Sequence, residues 1–474
     1  MPSACRSQRS TCRSRGATLP PMTALDAEGL PRGVPAGGGA GEPGGRGAPG
    51  PAAPLPDDQV DGLVAVLDLV RSGVARTRPE LARQSGLGRS AVAGRVARLL
   101  ELGLLDERGT APSSGGRAPR ELALRADAGL VLVAPLGASH LTAGVTDLEG
   151  RVLAVVEEPG DVSDGPDVVL GRVDEMLTGL LEGLGAEGEL PPVRGVGVGL
   201  PGPVEFASGR PNRPPIMPGW HDVDVRARTS QRWGAPTWVD NDVNLMALGE
   251  LVRRRDHAPG AVEDMLFVKV GTGIGAGLVG RGRLLRGSHG CAGDIGHVLA
   301  PGGGDVVCRC GNTGCLEAVA GGAAMVRRAR ELAEGGASPP LARALARTGE
   351  LGVEDLVRAA QEGDRASVEV VQAAGRLVGQ VLATLVNFFD PGLLVLGGRL
   401  GSTSDLLLAS VRQGVYERSL PLATRDLRVE ASLAGGDPGV AGAAAMVLDE
   451  LFGREHLRRW LSRDASPGRR SAAA

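Results

Sequence analysis

Between Gly271 and Glu317 the chain reads GTGIGAGLVGRGRLLRGSHGCAGDIGHVLAPGGGDVVCRCGNTGCLE, and its densest chemistry lies here. His297, Cys308, Cys310 and Cys315 fall within about twenty residues, the cysteines spaced Cys-x-Cys-x4-Cys. Zn2+ favours thiolate and imidazole ligands in a closed four-coordinate shell, and a Cys3His set fills one. Gly302 to Gly304, Gly311 and Gly314 allow tight turns between the ligands. Free cysteines are often only small buried hydrophobes, yet three of the six in this chain stand within eight residues of each other near a His. A redox pair fits less well, because Cys-x-Cys is not Cys-x-x-Cys and no thioredoxin-like βαβ pattern surrounds it. Upstream, Gly271-Thr272-Gly273-x-Gly275 follows the apolar run Met265 to Val268, as a phosphate-cradling loop follows a strand.

At 474 residues the chain is long enough for two or three domains with their own cores. A net charge of −3 excludes a globally basic nucleic-acid binder, so any DNA affinity has to be local. Aromatic residues make up 2%, which leaves Leu, Val and Ala to build the core. Lys269 is the only lysine; positive charge is otherwise carried by arginine. No apolar run approaches the roughly 20 residues of a membrane helix, and the basic start (Arg6, Arg9, Arg13, Arg15) lacks an apolar signal-peptide core. Clustered thiols acting as metal ligands suit a reducing, cytoplasmic setting.

Residues 1–56 are dominated by Gly, Pro, Ala and Ser and are expected to be a disordered tail. Met22 is an alternative start that would remove Cys5 and Cys12. Residues 57–125 change character. Val60, Leu63, Val64, Leu67 and Val70 repeat at helical spacing. Thr77-Arg78-Pro79-Glu80 is a capping box with proline in the first turn of a second helix. After Ser85-Gly86-Leu87-Gly88 a third helix carries Val92, Val96, Leu99 and Leu100 on one stripe. That spacing belongs to helix-turn-helix domains. Arg89, Ser90 and Arg98, with Arg95 at the flank, are the candidate DNA contacts, and Arg117 sits near the tip of an expected β-wing, placed to enter a minor groove. From Arg76 to Arg98 six arginines face one acid, a local +5 in a net negative chain. The bland alternative is a helical subdomain with a solvated charged face.

From Leu130 apolar strands alternate with helices, the pattern of an α/β protein. GTGIGAG, AGDIGH and CRCGNTGCLE together resemble the signature of the ROK family of bacterial sugar kinases and sugar-responsive repressors, over roughly Leu124 to Leu451. The resemblance implies an actin-like (ribonuclease H-like) sugar-kinase fold of two lobes around a cleft, here with an N-terminal winged helix-turn-helix. The expected division is a first lobe at 126–240, completed by a returning helix at 438–452, a second lobe with the zinc site at 241–437, and a flexible tail at 453–474. It also implies that the zinc is structural and that its His touches the sugar.

By the same resemblance, Asn241, Asp242, Asp294, His297 and Glu317 are the sugar-binding residues. Asp242 matches the residue that serves kinases of the family as general base, a role a carboxylate suits when it reaches the attacking hydroxyl; sugar binding without catalysis and helix capping are its other possible uses. Gly271, Thr272, Gly273, Gly275, Gly397 and Gly398 match nucleotide-contacting turns, although such glycines can persist for folding alone. Two departures count. Asp294 stands where the family usually has a residue one methylene longer. Pro135 occupies the place of the Asp that helps hold Mg2+ against ATP, and offers neither charge nor N–H. Losing that ligand should be severe for phosphoryl transfer. ATP and Mg2+ are therefore not expected. The chain reads as a sugar-responsive repressor rather than an enzyme, binding double-stranded operator DNA and a carbohydrate as a homodimer or dimer of dimers. The rival is an ATP-dependent sugar kinase with an appended head; a zinc-stabilised scaffold without small ligand is a third reading.

Overall fold

A computed structural model describes residues 56–110, 119–186, 188–258, 262–433 and 438–464. Arg117 and all of the expected N-terminal tail except Pro56 lie outside the described residues. Three helices open the described chain: α1 (Asp57–Arg71), α2 (Arg78–Ser85) and α3 (Arg89–Glu101). Thr77 and Glu80 form the capping box of α2: Glu80 N donates to Thr77 Oγ1 at 3.4 Å, and Thr77 N to Glu80 Oε2 at 3.0 Å. Such a cap is worth about 1 kcal/mol. Gly86 ends α2 in the left-handed region (φ 69°), the conformation this tight turn requires. An antiparallel ribbon follows, β1 (Leu105–Thr110) with β2 (Arg120–Leu124), in the place of the wing.

The first lobe contains β3 (Leu130–Pro135), β4 (His140–Thr146), β5 (Val152–Pro159), α4 (Pro166–Gly185), β6 (Val193–Leu200), the short pair β7 (Val204–Glu205) and β8 (Arg210–Pro211), α5 (Val225–Trp233) and β9 (Thr237–Asn241). Its sheet runs β5-β4-β3-β6-β9, antiparallel on the β4 side and parallel from β3 through β9. Helix α6 (Asp242–His257) leaves this sheet. The second lobe contains β10 (Met265–Val270), β11 (Ile274–Gly280), β12 (Arg283–Leu285), α7 (Leu316–Ala320), α8 (Gly322–Glu334), α9 (Pro339–Thr348), α10 (Val353–Gln361), α11 (Arg365–Phe389), β13 (Leu393–Gly397), α12 (Gly398–Gly401), α13 (Asp405–Arg418), α14 (Pro421–Thr424) and β14 (Arg428–Ala431). Its order, β12-β11-β10-β13-β14, repeats the topology of the first. This is the actin-like duplication.

Helix α6 packs on β11 of the second lobe, and α15 (Pro438–Leu451) returns to β3 and β6 of the first. The two helices cross backbone to backbone. A Cβ on Gly249 would lie 1.9 Å from Pro438 O, and one on Gly442 1.7 Å from Leu245 O, so any side chain would force them apart. Glu250, fully buried, fixes α6 to the second sheet by accepting from Arg254 (2.7 Å), Ser432 (2.6 Å) and the Leu433 amide (3.2 Å). Removing one partner of such a buried pair costs about 3–5 kcal/mol.

The expected flexible tail is corrected over 454–464, where α16 (Arg454–Asp464) folds back onto α1, while 465–474 lie outside the described residues. Leu457 and Leu461 are buried in the same apolar cluster as Val60, Leu63 and Leu67. Arg454 pairs with Asp57 (2.8 Å) and Asp61 (3.0 Å), and Arg458 also pairs with Asp57. The segment is short and arginine-rich, and its few apolar residues are buried largely by parts of the chain far from it in sequence. Among the described residues no helix is long and apolar enough to cross a membrane.

Candidate functional site

Strand β9 delivers Asp240 and Asn241 to the cleft, and α6 begins at the next residue. Asp240 is 1% exposed and fully engaged: Oδ1 accepts from the Asn241 amide (2.7 Å) and Asn244 Nδ2 (2.8 Å), Oδ2 from Arg286 Nε (2.7 Å). The Arg286 guanidinium lies 3.8 Å from the centre of the Phe206 ring. Asn241 is the helix cap. Its Oδ1 accepts from the amides of Val243 (2.9 Å) and Asn244 (3.3 Å), and its Nδ2 donates to Gly202 O (3.0 Å). Capping therefore falls to Asn241, and one Nδ2 hydrogen is left for another partner. Asp242 turns its carboxylate inward, where Oδ2 accepts from Lys269 Nζ at 2.5 Å. Sequence reasoning assigned no role to Lys269, Arg286 or Asp240. The uniqueness of Lys269 was the available signal.

The Gly271-Thr272-Gly273 turn joins β10 to β11 as a hairpin, which differs from the strand-to-helix loop its pattern suggests. A helix does approach it, but α8 arrives from elsewhere in the chain, and its first amides are used up on the turn: Gly322 N donates to Gly271 O (2.9 Å) and Ala323 N to Thr272 O (3.1 Å). Beside it Glu317, at the start of α7, accepts from the Ile274 amide at 3.0 Å. Gly273 has no side chain because the Glu317 carboxylate fills that space, 2.2 Å from where a Cβ would stand. Asp294 precedes a short 3-10 turn that His297 ends. The cleft walls push the Asp294 carboxyl above its ordinary range by taking water from it; His297 opposes this and Glu317 adds to it, so the three side chains share one electrostatic neighbourhood.

The ligand atoms of His297, Cys308, Cys310 and Cys315 lie within 4.8 Å of one another. Cys310 Sγ is 3.7 Å from Cys315 Sγ, and Cys308 Sγ is 3.7 Å from His297 Nδ1. A tetrahedral shell with Zn–S bonds of about 2.3 Å sets its corners about 3.8 Å apart, so the donors and their spacing fit the ion. Burial and the neighbouring sulfurs push the Cys315 thiol up to about 12, and burial also raises Cys308. Such thiols ionise readily only beside a cation.

The turns at Pro135 and Gly397 are built differently. Pro135 closes β3, paired with Gly199. The His140 ring lies on Gly137, its Cε1 2.2 Å from where a Cβ would be. Gly397 rests on the Phe267 ring, and Arg399 pairs with Glu157 of the first lobe (3.4 Å) and Glu354 of the second (3.5 Å).

On the head, Arg89 and Ser90 are exposed at the start of α3. Arg98 is half-buried and pairs with Glu101 at 3.0 Å. Arg95, expected at the flank among the DNA contacts, folds its side chain over Gly62 of α1 and donates to Ala91 O (3.3 Å). The small residue at 62 leaves a groove that its long stem fills.

The ROK family model matches residues 133–450. The xylose repressor of Caldicellulosiruptor bescii is 28% identical over 82% of this chain and 95% of its own length. The glucokinase of Halalkalibacterium halodurans is 30% identical over 63% of this chain and 88% of its own. Among solved structures, a ROK family transcriptional regulator, a homologue of the E. coli MLC protein, superposes with a TM-score of 0.72 at 26% identity, covering 86% of this chain and 100% of that one. With the family model spanning both lobes and the cleft between them, the chain belongs to the ROK family.

Proposed function

We propose that this protein is a sugar-responsive transcriptional repressor of carbohydrate-metabolism genes, binding operator DNA through Arg89, Ser90 and Arg98 and a carbohydrate through the cleft. What carries the reading is the union, in one chain, of a helix-turn-helix head with a two-lobe cleft, where the family resemblance sets Pro135 in the place of the Mg2+-holding Asp. The likeness to a xylose repressor and a ROK regulator over most of the chain supports it. Asn241, Asp242, Asp294, His297 and Glu317 would hold the sugar. Cys308, Cys310, Cys315 and His297 would hold a structural Zn2+, which supplies rigidity rather than chemistry. With Nδ1 of His297 committed to the metal, Nε2 is left for a hydroxyl, which links metal and ligand mechanically. Paired heads on a palindrome call for a homodimer.

The second reading, an ATP-dependent sugar kinase, draws on Asp242, the intact Gly271-Thr272-Gly273 turn and the glucokinase relatives. The deciding experiment selects operator DNA from a double-stranded pool with the full-length protein, then titrates sugars into the complex. Wild type should respond to one sugar by a change in operator affinity of about 5–150-fold. Asp242→Asn should keep DNA binding and lose the response. Failure to select any sequence, or robust ADP release with a sugar that Asp242→Asn abolishes, overturns the proposal.

A further inference from the structure

The candidate carbohydrate residues come from two chain segments that belong to different lobes. Asn241 and Asp242 stand where β9 passes into α6, whereas Asp294 and His297 follow the stretch 287–293 of the second lobe. That stretch is weakly fixed by its own chemistry. Gly287, Gly290 and Gly293 all have left-handed φ, and glycine restricts a backbone least. It is held from outside instead. At its end the Ala276 amide of β11 donates to Gly293 O at 2.8 Å. In its middle Gly290 lies so close to the first lobe that a Cβ would stand 2.1 Å from Val204 O. At its start stands Arg286, the charged anchor of the three.

The Arg286 side chain, 23% exposed, crosses to Asp240 of the first lobe, which is 1% exposed. Asp240 Oδ1 accepts from the Asn241 amide and from Asn244 Nδ2, while Oδ2 accepts from Arg286 Nε at 2.7 Å. Among the described residues Arg286 is the one cation paired with this carboxylate, and a buried carboxylate needs such a partner. The same guanidinium lies 3.8 Å from the centre of the Phe206 ring. Phe206 ends the stretch that begins near Gly202, whose carbonyl accepts from Asn241 Nδ2 at 3.0 Å. Arg286 therefore touches both supports of Asn241 and also opens the segment that delivers Asp294 and His297. We infer that Arg286 is a positioning residue of the carbohydrate site: paired with Asp240 and stacked on Phe206, it sets Asp294 and His297 of the second lobe against Asn241 and Asp242. The position asks for arginine, since a planar guanidinium can donate from its edge to a carboxylate while its face meets a ring, and an ammonium cannot do both. This rests on the carbohydrate-sensing reading of the cleft.

The test joins two measurements on the full-length protein: calorimetric titration with glucose, mannose, N-acetylglucosamine and xylose, and hydrogen exchange of the 287–293 amides. Arg286→Met alone leaves a buried carboxylate without its cation and can unfold the protein. The double variant Asp240→Asn/Arg286→Met is therefore made beside it; it leaves no lone charge, and the amide oxygen at 240 still accepts from Asn241 and Asn244. That variant should melt as a folded protein and exchange faster at 287–293, with α3 unchanged. It should bind whichever sugar the wild type takes about 10–100-fold more weakly, the scale known for losing the groups that orient a ligating side chain. Phe206→Leu removes the stack alone and should lose less. Arg286→Lys keeps a charge for Asp240 and should recover part of what Arg286→Met loses. A folded double variant with wild-type sugar affinity, unchanged exchange at 287–293, or Arg286→Lys no better than Arg286→Met would each overturn the inference. If the wild type binds none of the four sugars, the carbohydrate reading falls, and exchange at 287–293 still decides whether Arg286 fixes that segment.

Discussion

The two ends of the cleft have different kinds of order. At the carbohydrate end, polar side chains are held by one another and remain facing the opening: Asp240 by Arg286 and Asn244, Asp242 by Lys269, Glu317 by the Ile274 amide. Around Pro135 and Gly397 the contacts are of another kind. Pro135 closes β3, the His140 ring covers Gly137, the Phe267 ring fills the face of Gly397, and Arg399 bridges Glu157 and Glu354. Preorganised polar groups suit recognition, and a phosphoryl-transfer site needs a metal and phosphates more than anything else. On the proposed function, the difference is what a sugar-kinase scaffold would need in order to grip a carbohydrate without transferring phosphate.

The largest expected effect comes from attacking the support of the carbohydrate end. Stripping metal with a chelator, or substituting Cys310→Ser, should release the 297–315 segment and with it His297. Structural zinc sites contribute folding free energy outright, so melting should fall by roughly 10 °C and the sugar response should vanish. A metal-free protein of unchanged melting and response would mean that the knuckle does not brace the cleft.

A second substitution tests whether the opposite end is beyond repair. Pro135→Asp restores a carboxylate, yet His140, Arg399 and the Lys269–Asp242 pair remain. Sugar-dependent ADP release should stay at least about 1000-fold below the 1–100 s−1 typical of kinases. Turnover near that range, lost again on adding Asp242→Asn, would erase the contrast between the two ends.

Much of this was legible in the sequence, because the signals are local. The Cys/His spacing, the capping box at Thr77 and the apolar stripe of α3 each lie within a few turns of chain, and the family motifs carried the two-lobe fold. What escaped was long-range. The folding of α16 onto α1 joins residues some four hundred positions apart in the sequence, and α16 on its own is strongly polar. Arg95 was read as a DNA contact because helical periodicity gives a direction and not a neighbour; the groove over Gly62 exists only once α1 and α3 are packed. The bond from Lys269 to Asp242 crosses from strand β10 to helix α6, and no spacing rule reports that.

The smallest expected effect concerns which end of the cleft is tied to the DNA-binding head. Trp238 lies on β9, two residues before Asp240, and its ring meets that of His456 on α16 edge-on, with centroids 4.8 Å apart. Since α16 packs on α1, the carbohydrate end has a physical connection to the head. Burial holds the His456 imidazole below its ordinary range; Arg459 and Arg226 push the same way, and Glu455 and a hydrogen bond with the Glu450 backbone oppose them. The folded state thus disfavours protonation. Between the depressed folded value and 6.5 the unfolded chain binds more protons, so stability is present above 6.5 and is lost as pH falls through that window. For a partly exposed imidazole that loss is small beside the effects above. His456→Gln should flatten the change in melting temperature between pH 7 and pH 5. If the operator affinity of the wild type weakens over the same interval and that of His456→Gln does not, the connection runs through the Trp238 contact; if both weaken alike, the head takes its cue from elsewhere in the cleft.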